Sequence, residues 1–328
     1  MELTARKYVA ALTRVPQDHG MDDMLDRVLP RIGGTETLDR LAALSGSDFT
    51  SVMLEVARRR AARETPASVL RRYERDRFVR PGQVPARPVR RVEDALLGCL
   101  PEDVEVVQLA PLVPLGTHSA LGPVSQDKVV STIRASEVAA DPTNALALEA
   151  ASRRVRARET TARLTPVRLA AVQRVVRTPQ LPDAPGFFAH FGLFGLVTAG
   201  RDTGSLEFER SALAGQLEIA IRGVAAAGGR DAQIALTPLS DRGERIAAAV
   251  SAGRAGVVTD RERQAGRGYY RDLCFKVNVH GDGGFGEVGD GGFTDWTARL
   301  TANAKERLLI LGLATDRLAA FAPPGRGR

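Results

Sequence analysis

The chain of 328 residues carries a formal charge of +7, and 44% of its residues are apolar, enough to bury a core and to exclude wholesale disorder. No apolar run reaches the ~18–20 residues of a membrane span, and the stretch from Met1 to Arg14 lacks the apolar centre of a secretion signal. Its two cysteines, Cys99 and Cys274, have no metal-type spacing, which argues against structural zinc and fits a reduced, cytoplasmic setting.

Residues 1–85 read as a helical N-terminal segment. Ser47 or Asp48 is placed to cap a helix carrying Val52, Leu54 and Val56. Thr65-Pro66 restarts a second helix with Val69, Leu70 and Tyr73 at helical spacing. Most of the basic excess lies between Arg58 and Arg91. Such a run is compatible with RNA or another polyanion, and equally with solvated helix faces. Pro81-Gly82, Pro85 and Pro88 form the clearest linker, so the domain boundary is expected there, with a core domain over residues 86–328.

Beyond the linker the pattern changes. Val89 to Leu100 reads as a helix, Val104 to Leu109 as a strand, and Lys128 to Ile133 as another. Asp141-Pro142-Thr143 opens a long helix through Leu146, Leu148 and Ala151. Leu169 to Arg177 and Phe191 to Ala199 are apolar strands joined by a Pro- and Gly-bearing loop. A helix from about Ser205 to Ala227, a strand over Ile234 to Leu236 and a helix over Asp241 to Ala252 follow. Leu273 to Val279, Gly286 to Phe293 and Leu308 to Leu311 complete the sheet. Helices interleaved with hairpin-like strands predict an α+β fold with a mostly antiparallel sheet. No internal repeat is visible.

Four constellations carry chemical interest. Arg177 on one strand, opposite Phe191 or Phe194 on the next, would make a nucleotide cradle, the guanidinium on a phosphate and a ring on the base. The competing reading is two core aromatics and a surface arginine. Gly200 to Ser205, with Arg201 and then Glu207 and Glu209, reads as a glycine turn and a serine cap opening a helix whose first turn is acidic. Thr132, Arg134, Glu137 and Thr143 cluster just after a strand, where polar groups often face a pocket, although a strand-to-helix connection explains them as well. Gly281 to Gly292 reads as a hairpin rather than a phosphate loop. His19, His118, His280 and Asp282 show no pairing that would make a metal site or triad.

Taken together, the motifs over roughly residues 90–321 resemble the catalytic core of the class II aminoacyl-tRNA synthetases, most of all the histidyl-tRNA synthetase-like branch. Arg177 with the loop and aromatic strand after it is similar to motif 2. Gly312, Ala314 and Arg317-Leu318 are similar to motif 3. Tyr269-Tyr270 followed by Phe275 resembles the Tyr-Tyr-x-x-x-x-Phe signature of the histidyl branch, and Gly291-Gly292-Phe293-Thr294-Asp295 its Gly-Gly-Arg-Tyr-Asp turn. The departures are Pro179 at the motif 2 glutamate, a following strand almost free of polar side chains, Ala314 for a glycine and Phe293 for an arginine. The chain stops near Arg328, so an anticodon-binding domain is not expected.

The resemblance implies ATP and Mg²⁺ as cofactors, with Arg177 on the α-phosphate and Arg317 on the γ-phosphate. Phe191, Phe194, Arg201, Glu207 and Glu209 would border the nucleotide or metal. Arg134, Glu137, Thr143, Tyr269, Tyr270 and Asp295 would meet the substrate. The implied activity is ATP-dependent activation of a small carboxylate or amino acid, without ordinary tRNA charging. Two alternatives stand beside it. One is a non-catalytic paralog similar to the regulatory subunit of ATP phosphoribosyltransferase, acting on a partner enzyme. The other is an RNA-binding accessory factor. A homodimer through the motif 1 region, Val92 to Pro114, is also implied.

Overall fold

The computed structural model describes residues 19–122, 124–160, 165–178, 188–264, 266–281 and 284–321. Packing divides the chain into two units, residues 1–66 with 133–135, and residues 67–132 with 136–328. Pro179, Gln180 and Asp282 lie outside the described residues.

In the first unit, α1 (His19–Val28), α2 (Thr35–Ala42) and α3 (Gly46–Ala61) follow one another. The α3 cap is Ser45, whose Oγ accepts from Asp48 N at 3.2 Å, rather than Ser47 or Asp48. Asp48 instead supplies a first-turn N–H and a negative charge at the positive end of the helix. Thr50 Oγ1 donates to Ile133 O at 3.0 Å, tying the 133–135 turn to α3.

A further helix, α4 (Pro66–Arg75), opens at the predicted proline. The second unit continues with α5 (Ala86–Gly98), β1 (Glu105–Val106), β2 (Leu112–Pro114), α6 (Thr117–Leu121), β3 (Ser136–Val138), α7 (Pro142–Glu159), β4 (Val167–Val176) and β5 (His190–Arg201). Then come α8 (Glu207–Ala226), β6 (Arg230–Pro238), α9 (Asp241–Ser251), β7 (Val257–Thr259), β8 (Arg271–Gly281), β9 (Gly284–Thr294), α10 (Trp296–Leu300), β10 (Glu306–Ala314) and α11 (Thr315–Phe321). The fold is α+β. An eight-stranded sheet runs β1-β4-β5-β10-β9-β8-β6-β7, antiparallel except for the parallel edge pairs β1/β4 and β6/β7. The strand expected over Lys128 to Ile133 is absent. A 3₁₀ turn at Gln126–Lys128 occupies its start, and Ser131 only bridges to Glu137. Ala135, at φ +51°, folds the chain back on itself there.

Alternation along the strands builds two apolar layers. On one face Phe194, Leu196, Leu309, Leu311 and Phe275 pack with Leu96 of α5, Leu213 and Leu217 of α8 and Leu318 of α11. On the other, Leu169, Ala171, Val197 and Ile310 pack with Leu146, Ala147 and Ala150 of α7 and with Trp296. α7 begins as predicted, with Thr143 N donating to Asp141 Oδ1 at 2.9 Å and Pro142 in its first turn.

Arg154 of α7 crosses to Glu306 of β10 through Nε at 2.8 Å and Nη2 at 3.0 Å, both side chains sealed from solvent. Arg158 adds a third bond to Glu306 at 2.6 Å. Burial alone would raise the Glu306 pKa, but Arg154 and Arg158 hold it below the usual carboxylate value. Removing one partner of such a pair strands a buried charge, whereas replacing both with apolar groups does not. Glu306→Gln is therefore expected to lower unfolding stability by about 3 kcal/mol or more, and Arg154→Met/Glu306→Met by much less. Urea denaturation of the two variants checks this, and equal losses would contradict it.

Candidate functional site

A cavity of about 310 Å³ opens on the α7 face of the sheet, at the end where β4 leaves and β5 enters. Its charged and polar walls are His118, Lys128, Asp141, Asn144, Arg177 and Asp290, with Tyr269 and Tyr270 between them. The site begins with a buried carboxylate. Glu137 Oε1 accepts from His118 N at 2.9 Å and from His118 Nδ1 at 2.5 Å, and Oε2 accepts from Gly116 N at 3.0 Å and Gln126 Nε2 at 2.7 Å. Burial alone would raise the Glu137 pKa, but these donors outweigh it and hold the value at about 2. Glu137 thus organises the turn before α6 rather than facing a ligand.

His118 relays the order. With Nδ1–H given to Glu137, its Nε2 accepts from Ala140 N at 2.9 Å. Ala140 O in turn accepts from Arg177 Nε at 3.0 Å, and Asp141 Oδ2 from Arg177 Nη2 at 3.3 Å. The Arg177 guanidinium lies 5.3 Å from the Phe191 ring centre. Phe194 alternates to the opposite face and is fully buried in its core, away from this cavity.

Across the cavity, Tyr270 Oη donates to Asp290 Oδ2 at 2.9 Å, and buried Arg263 stands 3.5 Å from the same oxygen. Burial, and then Glu287, push the Asp290 carboxyl above its usual pKa, while Arg263 opposes them. Burial likewise raises both tyrosines well above the usual phenol value. Tyr269 meets Tyr270 edge to face at 5.1 Å and Trp296 at 5.3 Å. A side chain at Gly122 would collide with the Tyr269 ring, so the close approach requires glycine. Asn144 is 2% exposed, and its Nδ2 has no acceptor among the described residues. The Asn144 side chain lies beside the Tyr269 hydroxyl and slightly opposes the rise that burial imposes on it.

Of the residues singled out in the sequence, Arg177, Tyr269 and Tyr270 line this cavity, with Phe191 beneath Arg177. Thr143 is buried behind it, its Oγ1 on Asp141 Oδ1 at 2.7 Å. Arg317, placed on the γ-phosphate by the resemblance, is half-buried; its Nη1 donates to Glu287 O at 3.3 Å and the residue does not line the cavity. Arg134 is exposed and belongs to the first unit. Arg201 ends β5, about 30 Å from Phe191 at ~3.3 Å per residue, and Glu207 and Glu209 stand in the first turn of the helix that follows. There Ser205 is not the cap: α8 starts after Leu206, at φ +62°, without a side-chain cap bond. Glu209 is buried against Arg242 and Arg307, and Arg307 also binds Asp202 at 2.5 Å. Glu209 and Asp295 line a second cavity of about 550 Å³ at that end, Asp295 paired with Arg271 at 3.0 Å.

His118, Lys128, Asn144 and Asp290 were not marked as site residues by the sequence. The buried pairing of His118 with Glu137 spans 19 positions, so spacing gave no signal. Asp290 sits in a run read as a glycine hairpin; facing Lys276 in the β8 register could have marked it.

No protein-family model matches the chain, and no curated protein matches it in sequence. Its fold is similar to that of solved structures. An ATP phosphoribosyltransferase regulatory subunit/histidyl-tRNA synthetase from Bacillus halodurans is 13% identical with a TM-score of 0.57, over 73% of this chain and 80% of that one. Histidyl-tRNA synthetase from S. aureus is 14% identical with a TM-score of 0.53, over 71% of this chain and 64% of that one. A histidine–tRNA ligase subunit from Alicyclobacillus acidocaldarius is 17% identical with a TM-score of 0.54, over 72% of this chain and 93% of that one. The chain thus shares the fold of the histidyl branch of class II synthetases. Among the described residues, no helix is long and apolar enough to cross a membrane.

The Glu137 carboxyl falls from an ordinary 4.5 to about 2 in the folded chain. A depressed pKa stabilises fully above the unfolded value, and that stability is lost as pH falls through the folded one. Wild type should therefore exceed Glu137→Gln by about 3 kcal/mol near neutral pH, at ~1.4 kcal/mol per unit. The gap should close between pH 4.5 and about 2. Chemical denaturation across that range measures it; a pH-independent gap would refute the assignment.

Proposed function

We propose that the cavity binds a small amino-acid-like zwitterion and that the chain works as a ligand-binding, regulatory protein rather than as an adenylate-forming enzyme. The observation that carries this is the mixed sign of the wall. Lys128 and Arg177 face Asp141 and Asp290, and the buried Asn144 amide adds an unused donor. A ligand carboxylate would take Arg177 and Asn144, where a planar donor fork meets two oxygens. Its ammonium would take Asp290 and the Tyr270 hydroxyl on the facing wall. Partial desolvation at the half-buried Arg177 and Asp290 strengthens both contacts, and a ligand lacking either charge would forgo one of them.

The residues present do not fit a triphosphate. Two cations and two carboxylates line the cavity, so several added negative charges would go unbalanced. Arg317, which the resemblance assigns to the γ-phosphate, engages Glu287 O outside the lining. The adenylating alternative, ATP-dependent activation of a carboxylate, is favoured by Arg177 lying over Phe191. Pyrophosphate exchange separates the two readings.

Titration calorimetry with the amino acids should find at least one that binds. Asp290→Asn and Arg177→Gln should each weaken it about tenfold or more, the cost of a charge-assisted contact. The same amino acid with ATP and Mg²⁺ should give no exchange of labelled pyrophosphate. Exchange above background would overturn the regulatory reading, and no binding by any amino acid would remove the zwitterion.

A further inference from the structure

A separate cavity of about 370 Å³ lies at the same end of the second unit. It is lined by Arg77, Arg80, Gly82, Gln83, Phe188 and His190, among other residues, and among the described residues none of its walls is acidic. Arg77 Nη2 is buried there with no hydrogen-bond acceptor among the described residues. A buried guanidinium N–H without a partner is costly, and an anion is the group that satisfies it.

Bonds to neutral groups and to Asp316 hold the walls in place, and Arg80 Nη1 donates at long range, 3.5 Å, to Glu74 O. His190 Nδ1 accepts from Arg174 Nε at 2.7 Å, which directs the His190 Nε2–H to Arg80 O at 2.6 Å. Arg174 lies against Gly82, where any side chain would strike its guanidinium. Two acids of neighbouring elements, Asp76 and Asp316, are engaged by other donors. Asp76 Oδ1 accepts from Phe78 N at 2.9 Å, and Asp316 accepts from Gly192 N at 2.7 Å and from Arg174 Nη2 at 3.5 Å. His190 and Arg174 alternate to the face of the sheet opposite Phe191 and Val175, so this cavity opens away from the zwitterion site.

We propose that this basic cavity binds the phosphate group of a nucleotide, free or at the end of a polynucleotide. The two guanidinium groups offer planar forks that match phosphate oxygens. The volume exceeds one phosphate, and the Phe188 ring supplies a wall on which a base can stack. The site gives a place to part of the basic excess between Arg58 and Arg91 that the zwitterion cavity does not use. It stands independently of the proposed function.

The test is titration calorimetry of the full chain at low salt with adenosine, inorganic phosphate, adenosine 5′-monophosphate and a 5′-phosphorylated RNA trinucleotide. Adenosine 5′-monophosphate should bind, adenosine should not, and inorganic phosphate should bind more weakly. Arg77→Gln and Arg80→Gln should each weaken the nucleotide about tenfold or more, while Asp290→Asn leaves it unchanged. Arg80 is exposed, so its variant reports even if Arg77→Gln fails to fold. A trinucleotide that binds more tightly assigns the site to a chain end, and one that binds no better assigns it to the free nucleotide. No binding by any phosphate, equal binding of inorganic phosphate and nucleotide, or binding untouched by Arg80→Gln would overturn the proposal.

Discussion

The geometry of the candidate site hangs on a carboxylate that does not line the cavity. Glu137 gathers the N–H groups of Gly116 and His118, the His118 ring and the Gln126 amide around two oxygens. Those donors come from both sides of an irregular stretch that a regular ladder could not hold. A buried backbone group needs a partner, and here a side chain provides what secondary structure does not. The consequence travels through bonds of fixed direction. His118 is oriented by Glu137, Ala140 by His118, and Arg177 by Ala140 and Asp141. The guanidinium that faces the cavity is therefore positioned from three links away.

The sheet sets which residues can cooperate. β5 runs from His190 to Arg201, so its two ends serve different neighbourhoods. At its entry lie Phe191 and the cavity. At its exit, Asp202, Glu209, Arg242, Arg307 and Asp272 form a network in which opposite charges pair across α8, α9 and β10. Asp202 is held below its usual carboxyl value, first by the Gly204 N–H and then by Arg307 and Arg242. That network ties elements together where β5 ends.

How much of this the sequence showed follows from the range of each interaction. The Asp141-Pro142 start of α7, the Pro66 start of α4 and the β4–β5 hairpin are local, and their signals lie within a few residues. Strand ends were harder: β10 extends to Glu306 and Ala314, past its apolar run, because the ladder continues on both sides. The 112–138 region was mostly lost. Its short strands carry no apolar alternation, and the Glu137 hub joins residues that look unrelated in sequence. At the site, Arg177 and the tyrosine pair were legible as motif residues. Asp290 and Asn144 were not, since a lone Asp between glycines and a lone Asn inside a helix carry no pattern of their own.

Arg317 shows where motif reading and geometry part. It follows β10 as the resemblance requires, and it does open a helix, yet that helix packs its Leu318 into the layer opposite the cavity. Its guanidinium meets the Glu287 carbonyl at a bulged stretch of β9, where the register with β8 slips between Val277 and Asn278. A carbonyl exposed by a bulge wants a donor, and a nearby arginine satisfies it. The same glycine-rich strand brings Asp290 to the cavity wall, three residues on. The strand thus contributes an acid to the site and engages the arginine elsewhere. Two cations and two carboxylates remain on the cavity wall, and the proposed zwitterion rests on that balance.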